Sequence, residues 1–82
     1  MRKLDKEEAR RLFYDGFFLY IQYRHKDGFG LFTFNHTYWS ADYDIPIKGS
    51  PREYGFDNIL KWMDGTILDI LTLDSKKPYV LW

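Results

Sequence analysis

Eighty-two residues with no cysteine, twelve basic and twelve acidic side chains, and an aromatic content of 21 % exclude a disulfide scaffold, a thiolate metal site and attachment to nucleic acid or membrane through net charge. A chain this short buries only about 60–65 % of its unfolded surface, so its core must be dense, and the large rings supply that density. No apolar run approaches the length of a membrane span and no secretory leader pattern opens the chain, which points to a single cytoplasmic domain over residues 1–82.

Charge is unevenly distributed. Residues 1–26 carry seven basic and four acidic side chains, and the remainder carry five and eight. Rings exceed what a small core needs, so part of the surplus is expected at a contact surface.

Leu4-Asp5-Lys6-Glu7-Glu8 reads as a helix start. Asp5 is the N-cap, acids fill the first turn, and Leu4 is placed to staple onto Ala9. Ala9, Leu12 and Phe13 form the apolar stripe and Gly16 offers the stop, giving a helix over residues 6–15. Arg10 and Arg11 fall off the stripe and are read as a solvated face.

The stretch from Phe17 to His36 is the centre of the chain. Asp27-Gly28 between two aromatic-rich runs is a strong short-range hairpin signal. With those two residues as the turn, Lys26 faces Phe29, Arg24 faces Leu31, Gln22 faces Thr33 and Ile21 faces Phe34. One face then collects Leu19, Ile21, Tyr23, Phe32 and Phe34 for the core. The other collects Phe18, Tyr20, Gln22, Arg24, Lys26, Phe29, Leu31, Thr33 and Asn35, and is the candidate functional face.

Tyr38-Trp39 begins a third strand that Asp42, Asp44 and Pro46 soon turn into a loop, which carries Tyr38, Trp39 and Tyr43. Ser50-Pro51-Arg52-Glu53 has capping-box spacing, and Gly55 weakens the next turn, so the second helix is placed over about residues 57–64. Its apolar stripe is Phe56, Ile59, Leu60, Trp62 and Met63, with Trp62 at its edge and Lys61 and Asp64 in water. Thr66 to Leu73 reads as a central strand, Asp74 to Pro78 as a turn and Tyr79 to Trp82 as a short final strand. The expected architecture is α+β: an antiparallel sheet built on the hairpin of residues 17–36, with two short helices on one face.

Catalytic motifs are missing. His25 and His36 stand at opposite ends of the hairpin, roughly 20 Å apart, and cannot share a metal or a proton. His25 beside Asp27 reads as a solvated turn, and Asp42-x-Asp44 lacks the further ligands and the glycine of a calcium loop. There is no phosphate-cradling loop, no nucleophile elbow and no His-Glu-x-x-His helix. Neither a metal nor a cofactor is expected, and the chain is not read as an enzyme.

Gly28-Phe29-Gly30-Leu31-Phe32-Thr33-Phe34 resembles the aromatic strand motif of RNA-recognition and cold-shock domains, and Leu19-Tyr20-Ile21 is similar to its shorter partner strand. That resemblance implies base stacking on Tyr20 and Phe29 beside a phosphate track of Arg24 and Lys26. Asp27 stands where the motif begins with a basic residue, and Leu31 where a stacking ring belongs. Pro51-x-x-Tyr54-Gly55 with Trp62 is similar in spacing to a segment of barstar-type nuclease inhibitors, without a shared apolar register.

The leading expectation is a small protein-binding module of the kind that phages and mobile elements use to inhibit or redirect a host or defence enzyme. Its partner-binding residues are read as Tyr20, Arg24, Lys26, Phe29, Tyr38, Trp39 and Tyr43. A single-stranded nucleic-acid binder using the Tyr20/Phe29 face is the alternative, and homodimerisation through that face is a third.

Overall fold

The computed structural model describes residues 1–26, 28–42, 47–63 and 65–78. In chain order the elements are β1 (Arg2–Lys3), α1 (Lys6–Tyr14), β2 (Leu19–His25), β3 (Gly28–Phe34), β4 (Trp39–Ala41), α2 (Pro51–Tyr54), α3 (Phe56–Trp62) and β5 (Ile67–Thr72). The strands form one antiparallel sheet in the order β1-β5-β2-β3-β4, with the hairpin strands near its middle. This is the α+β architecture the sequence predicts. The expected final strand, Tyr79 to Trp82, lies outside the described residues.

Local chemistry explains the first helix. Asp5 accepts a hydrogen bond from the Glu8 amide at 2.8 Å, and Glu7 and Glu8 occupy the positive end of the helix dipole. At the other end Gly16 takes φ +96°, while the Phe17 amide reaches back to the Leu12 carbonyl at 3.0 Å and the Gly16 amide to Phe13 at 3.2 Å. That is a Schellman closure, and it aims the chain directly into β2.

The hairpin has the predicted faces but not the predicted register. Leu19 pairs with Phe34, Ile21 with Phe32, Tyr23 with Gly30 and His25 with Gly28. The strands therefore close at the His25–Gly28 pair, offset by two residues from the register of an Asp27-Gly28 turn. A two-residue offset leaves every side chain on its own face. The physical reason lies at Gly30, where a Cβ would come within 2.5 Å of the Tyr23 ring. Tyr23 lies flat over the glycine instead of meeting Phe32, a ring covering bare backbone.

The core lies between the helices and one face of the sheet. Phe13 from α1, Phe34 from β3 and Phe56 from α3 meet with ring centroids 5.2 to 6.5 Å apart, and Phe32 stacks on Phe34 at 4.3 Å. Leu19, Ile21, Tyr23, Ile59, Leu60, Met63 and Ile70 complete it. Leu4 packs on its margin, as a staple residue does.

Three expectations about the helices and edges are corrected. Ser50 caps a separate four-residue helix, α2, which Gly55 ends at φ +98°, so three helices rather than two lie against the sheet. Trp62 is exposed rather than part of the docked stripe. The two-residue β1 was not foreseen, because Arg2-Lys3 carries no apolar pattern; it pairs along β5. β5 itself carries an irregularity: Gln22 pairs with Asp69 and Tyr23 with Ile67, leaving Leu68 as the extra residue of a bulge.

Candidate functional site

The face of the sheet away from the helices divides into a buried end and an open end. Phe18 and Tyr20 are buried, Tyr20 completely. This corrects the expectation that Tyr20 is a contact residue. It sits on the central strand with Leu71 of β5 on one side and Thr33 of β3 on the other, far from any free margin. Asn35 is buried as well, because it builds the turn into β4. Its Oδ1 accepts hydrogen bonds from the Thr37 amide and hydroxyl and from the Tyr38 amide, and its Nδ2 donates to the Gly16 carbonyl.

The remaining predicted contact residues are dispersed. Tyr38 is exposed but lies at the buried end, its ring set edge-on to Phe18 at 5.8 Å. Trp39 pairs with Phe34 and turns towards the core, 6.4 Å from the Phe32 ring. Tyr43 lies outside the described residues. Tyr38 and Trp39 thus do not share one patch with Phe29, since six residues of strand, roughly 20 Å, separate Phe29 from the turn at Asn35.

Phe29, Arg24 and Lys26 do come together. Arg24 pairs directly across the hairpin from Phe29, which is 65 % exposed, the most open large ring among the described residues. Lys26 follows in the turn. On the helix side, a cleft of about 360 Å³ opens against the same end of β2. It is lined by Tyr23, Arg24, His25, Lys26, Trp62, Met63 and Thr66, of which Tyr23 and Met63 are buried.

The walls of the cleft are tied together through backbone. The Arg24 amide donates to the Thr66 carbonyl at 2.8 Å, and the Thr66 hydroxyl and amide both donate to the Met63 carbonyl, at 2.6 and 3.0 Å. The end of α3 is therefore fastened to β2, and Trp62 is presented from a fixed support. Its side chain is 43 % exposed and also borders a second depression lined by Lys48, Glu53, Tyr54, Asn58 and Lys61.

Like Lys6, Arg11, Lys48, Arg52, Lys61, Lys76 and Lys77, the cations of this end form no ion pair among the described residues. Among the described residues neither Arg24 nor Lys26 has a carboxylate within ion-pair reach, whereas Arg2, Lys3 and Arg10 are all paired. Among the described residues no three metal-ligating side chains converge, and no helix is long and apolar enough to cross a membrane.

Trp62 is the contact residue that the sequence reading left in the core stripe. Helical geometry carries the missing signal. At 100° per residue Trp62 points about 110° away from the centre of the stripe formed by Phe56, Ile59, Leu60 and Met63. A ring that far off the buried face belongs at the surface unless another element covers it.

Comparison with known proteins leaves the geometry to stand alone: no protein-family model matches the chain, and no match was found among curated proteins or solved structures.

Proposed function

We propose that this chain is a non-catalytic protein-binding module whose contact surface is the open end of the hairpin, formed by Phe29, Arg24, Lys26 and Trp62. The observation that carries the reading is the coincidence, at one end of the molecule, of two exposed rings with two cations that have no carboxylate partner among the described residues. Tryptophan, other large rings and arginine are the side chains that dominate binding energy at protein interfaces. They suit the task because a ring supplies contact area with little rotamer entropy to lose, and the guanidinium fork fits a carboxylate. Their attachment to a hydrogen-bonded strand and helix end means that little ordering has to occur on binding. The partner is an acidic protein surface. A role as a cytoplasmic phage or mobile-element accessory protein that inhibits or redirects a host or defence enzyme extends this reading on the ground of size and type.

Single-stranded nucleic acid is the second reading, favoured by the direct pairing of Phe29 with Arg24. Burial of Tyr20 weighs against it, because only one of the two stacking platforms on that face remains open. Near-neutral overall charge weighs against it too.

The test is a pair of binding measurements. Immobilised chain is exposed to nuclease-treated lysate of the source cells, in parallel with a Phe29→Ala/Trp62→Ala variant, and mixed-sequence oligonucleotides are titrated at low salt. The proposal expects a discrete protein retained by the parent chain and lost by the variant, with no oligonucleotide binding. Micromolar oligonucleotide binding abolished by the same substitutions would overturn it.

A further inference from the structure

We infer that the free edge of β3 at Phe29 takes an extended segment of the partner as an added strand, held by main-chain hydrogen bonds; the inference rests on the protein-binding reading above. β3 runs from Gly28 to Phe34, but β4 pairs only with Phe32, Thr33 and Phe34. The ladder stops at the next position. There the Leu31 amide donates to the Asp42 carboxylate at 2.8 Å, a side chain taking the donor that a continuing strand would use. Backbone groups alternate in direction along a strand, so the amide and carbonyl of Phe29 point the same way as the Leu31 amide, away from β2. Among the described residues neither group of Phe29 has a hydrogen-bond partner. An open N–H and C=O on one residue at the margin of a sheet are what a further strand pairs with.

Short strands and bulges discourage such pairing, and the other margins have them. β1 is two residues long and β4 three, and beyond β1 the margin of β5 is bent by the bulge at Leu68, with Asp69 drawn to Lys3 at 3.3 Å. β3 pairs with β2 without interruption from Phe34 to Gly28, so its edge is regular up to the turn. A residue opposite Phe29 exchanges both hydrogen bonds with it and lays its side chain against the exposed ring, where aromatic and β-branched residues gain most. Proline is excluded at that position because it has no N–H to give. A second copy of the chain is a poor occupant. In an antiparallel pairing of two β3 edges about Phe29, the hairpin turn of each copy runs into β4 of the other at the Phe32–Ala41 pair, whereas a partner segment is free to leave the sheet there.

The experiment is a chemical-shift and hydrogen-exchange titration of the isotope-labelled full chain with three probes: acetyl-Thr-Val-Tyr-Val-Thr-amide, the same peptide carrying N-methyltyrosine, and a short oligothymidine. In the free chain the Phe29 amide is expected to exchange much faster than the Gly30 and Phe32 amides of the β2 ladder. The first peptide is expected to shift and protect it in a saturable way, and N-methylation to weaken binding about tenfold or more. Phe29→Pro removes a donor that faces outward, so it is expected to keep the β2–β3 pairing, yet to bind the peptide about tenfold more weakly than Phe29→Ala, which keeps the N–H. A slowly exchanging Phe29 amide in the free chain, loss of the hairpin in Phe29→Pro, equal binding by the two variants or of the two peptides, or no saturable shift overturns the assignment. If that happens while partner capture still depends on Phe29 and Trp62, the protein-binding reading survives and only the added strand falls. Saturable oligothymidine binding at Phe29 removes both.

Discussion

The two ends of the sheet use charge in opposite ways. At the β1 edge Arg2 bridges Glu8 at 2.8 Å and Asp74 at 2.6 Å, Lys3 meets Asp69 at 3.3 Å, and nearby Arg10 meets Asp57 at 2.7 Å. Those pairs join β1, α1, α3 and the segment after β5, so the cations there are committed to the fold. Hydrogen bonding to Asp74 and then to Glu8 raises the Arg2 pKa above its ordinary value, and the same guanidinium lowers that of Asp74. At the hairpin end Arg24 and Lys26 have no such partner among the described residues and stand beside open rings. Exposed pairs contribute little stability individually, so the β1 edge gains registration more than energy. On the binding proposal, the charges of the hairpin end are the ones a second molecule would meet.

If that division is right, stability and binding should separate by position. The largest expected effect is in the core: Phe34→Ala should lower the unfolding free energy by about 3–5 kcal/mol, read by denaturant unfolding, because its ring contacts Phe13, Phe32 and Phe56. Gly30→Ala should cost about 1–3 kcal/mol through overpacking against the Tyr23 ring, and the penalty should shrink in a Tyr23→Ala background. Asn35→Ala should cost about 1–3 kcal/mol, since the Thr37 and Tyr38 amides lose their acceptor.

At the β1 edge Asp74→Asn should have a small, pH-dependent effect. The folded carboxyl has a lowered pKa, so its stabilising contribution is present above the unfolded carboxylate pKa and is lost as pH falls through the folded value. The difference in melting temperature between parent and variant should therefore be present near neutral pH, vanish in acid and fade with added salt. Smallest of all, Phe29→Ala and Arg24→Gln should each move the unfolding free energy by less than about 0.5 kcal/mol. A large loss of stability in either would assign the hairpin end to the fold.

Much of the architecture was legible because several local signals agreed. The Asp5 cap, the Gly16 stop and the alternation of Leu19, Ile21 and Tyr23 with Phe32 and Phe34 all point to one arrangement, and the two-residue offset of the hairpin spared the faces. The offset itself was not legible from turn chemistry, because the choice depends on the Tyr23 ring needing bare backbone at Gly30. Tyr20 was misplaced for a related reason. Alternation tells which face a side chain occupies, but what covers that face depends on strand order, and β5 on the far side of β2 is a long-range pairing. Arg24, Lys26 and Phe29 were read at the surface since they flank the turn. Trp62 joined them only when the helix end was fastened to β2 through Thr66.

The most direct test sets the two exposed aromatic regions against each other on the same captured partner. Affinity is measured for the parent chain, for Phe29→Ala/Trp62→Ala at the hairpin end and for Tyr38→Ala/Leu73→Ala elsewhere on the surface, with folding verified for each by its spectrum. The account predicts at least about a tenfold loss for the hairpin-end variant, the effect of removing anchoring rings, and little change for the other. A loss confined to Tyr38→Ala/Leu73→Ala would contradict it and move the contact surface away from the hairpin end.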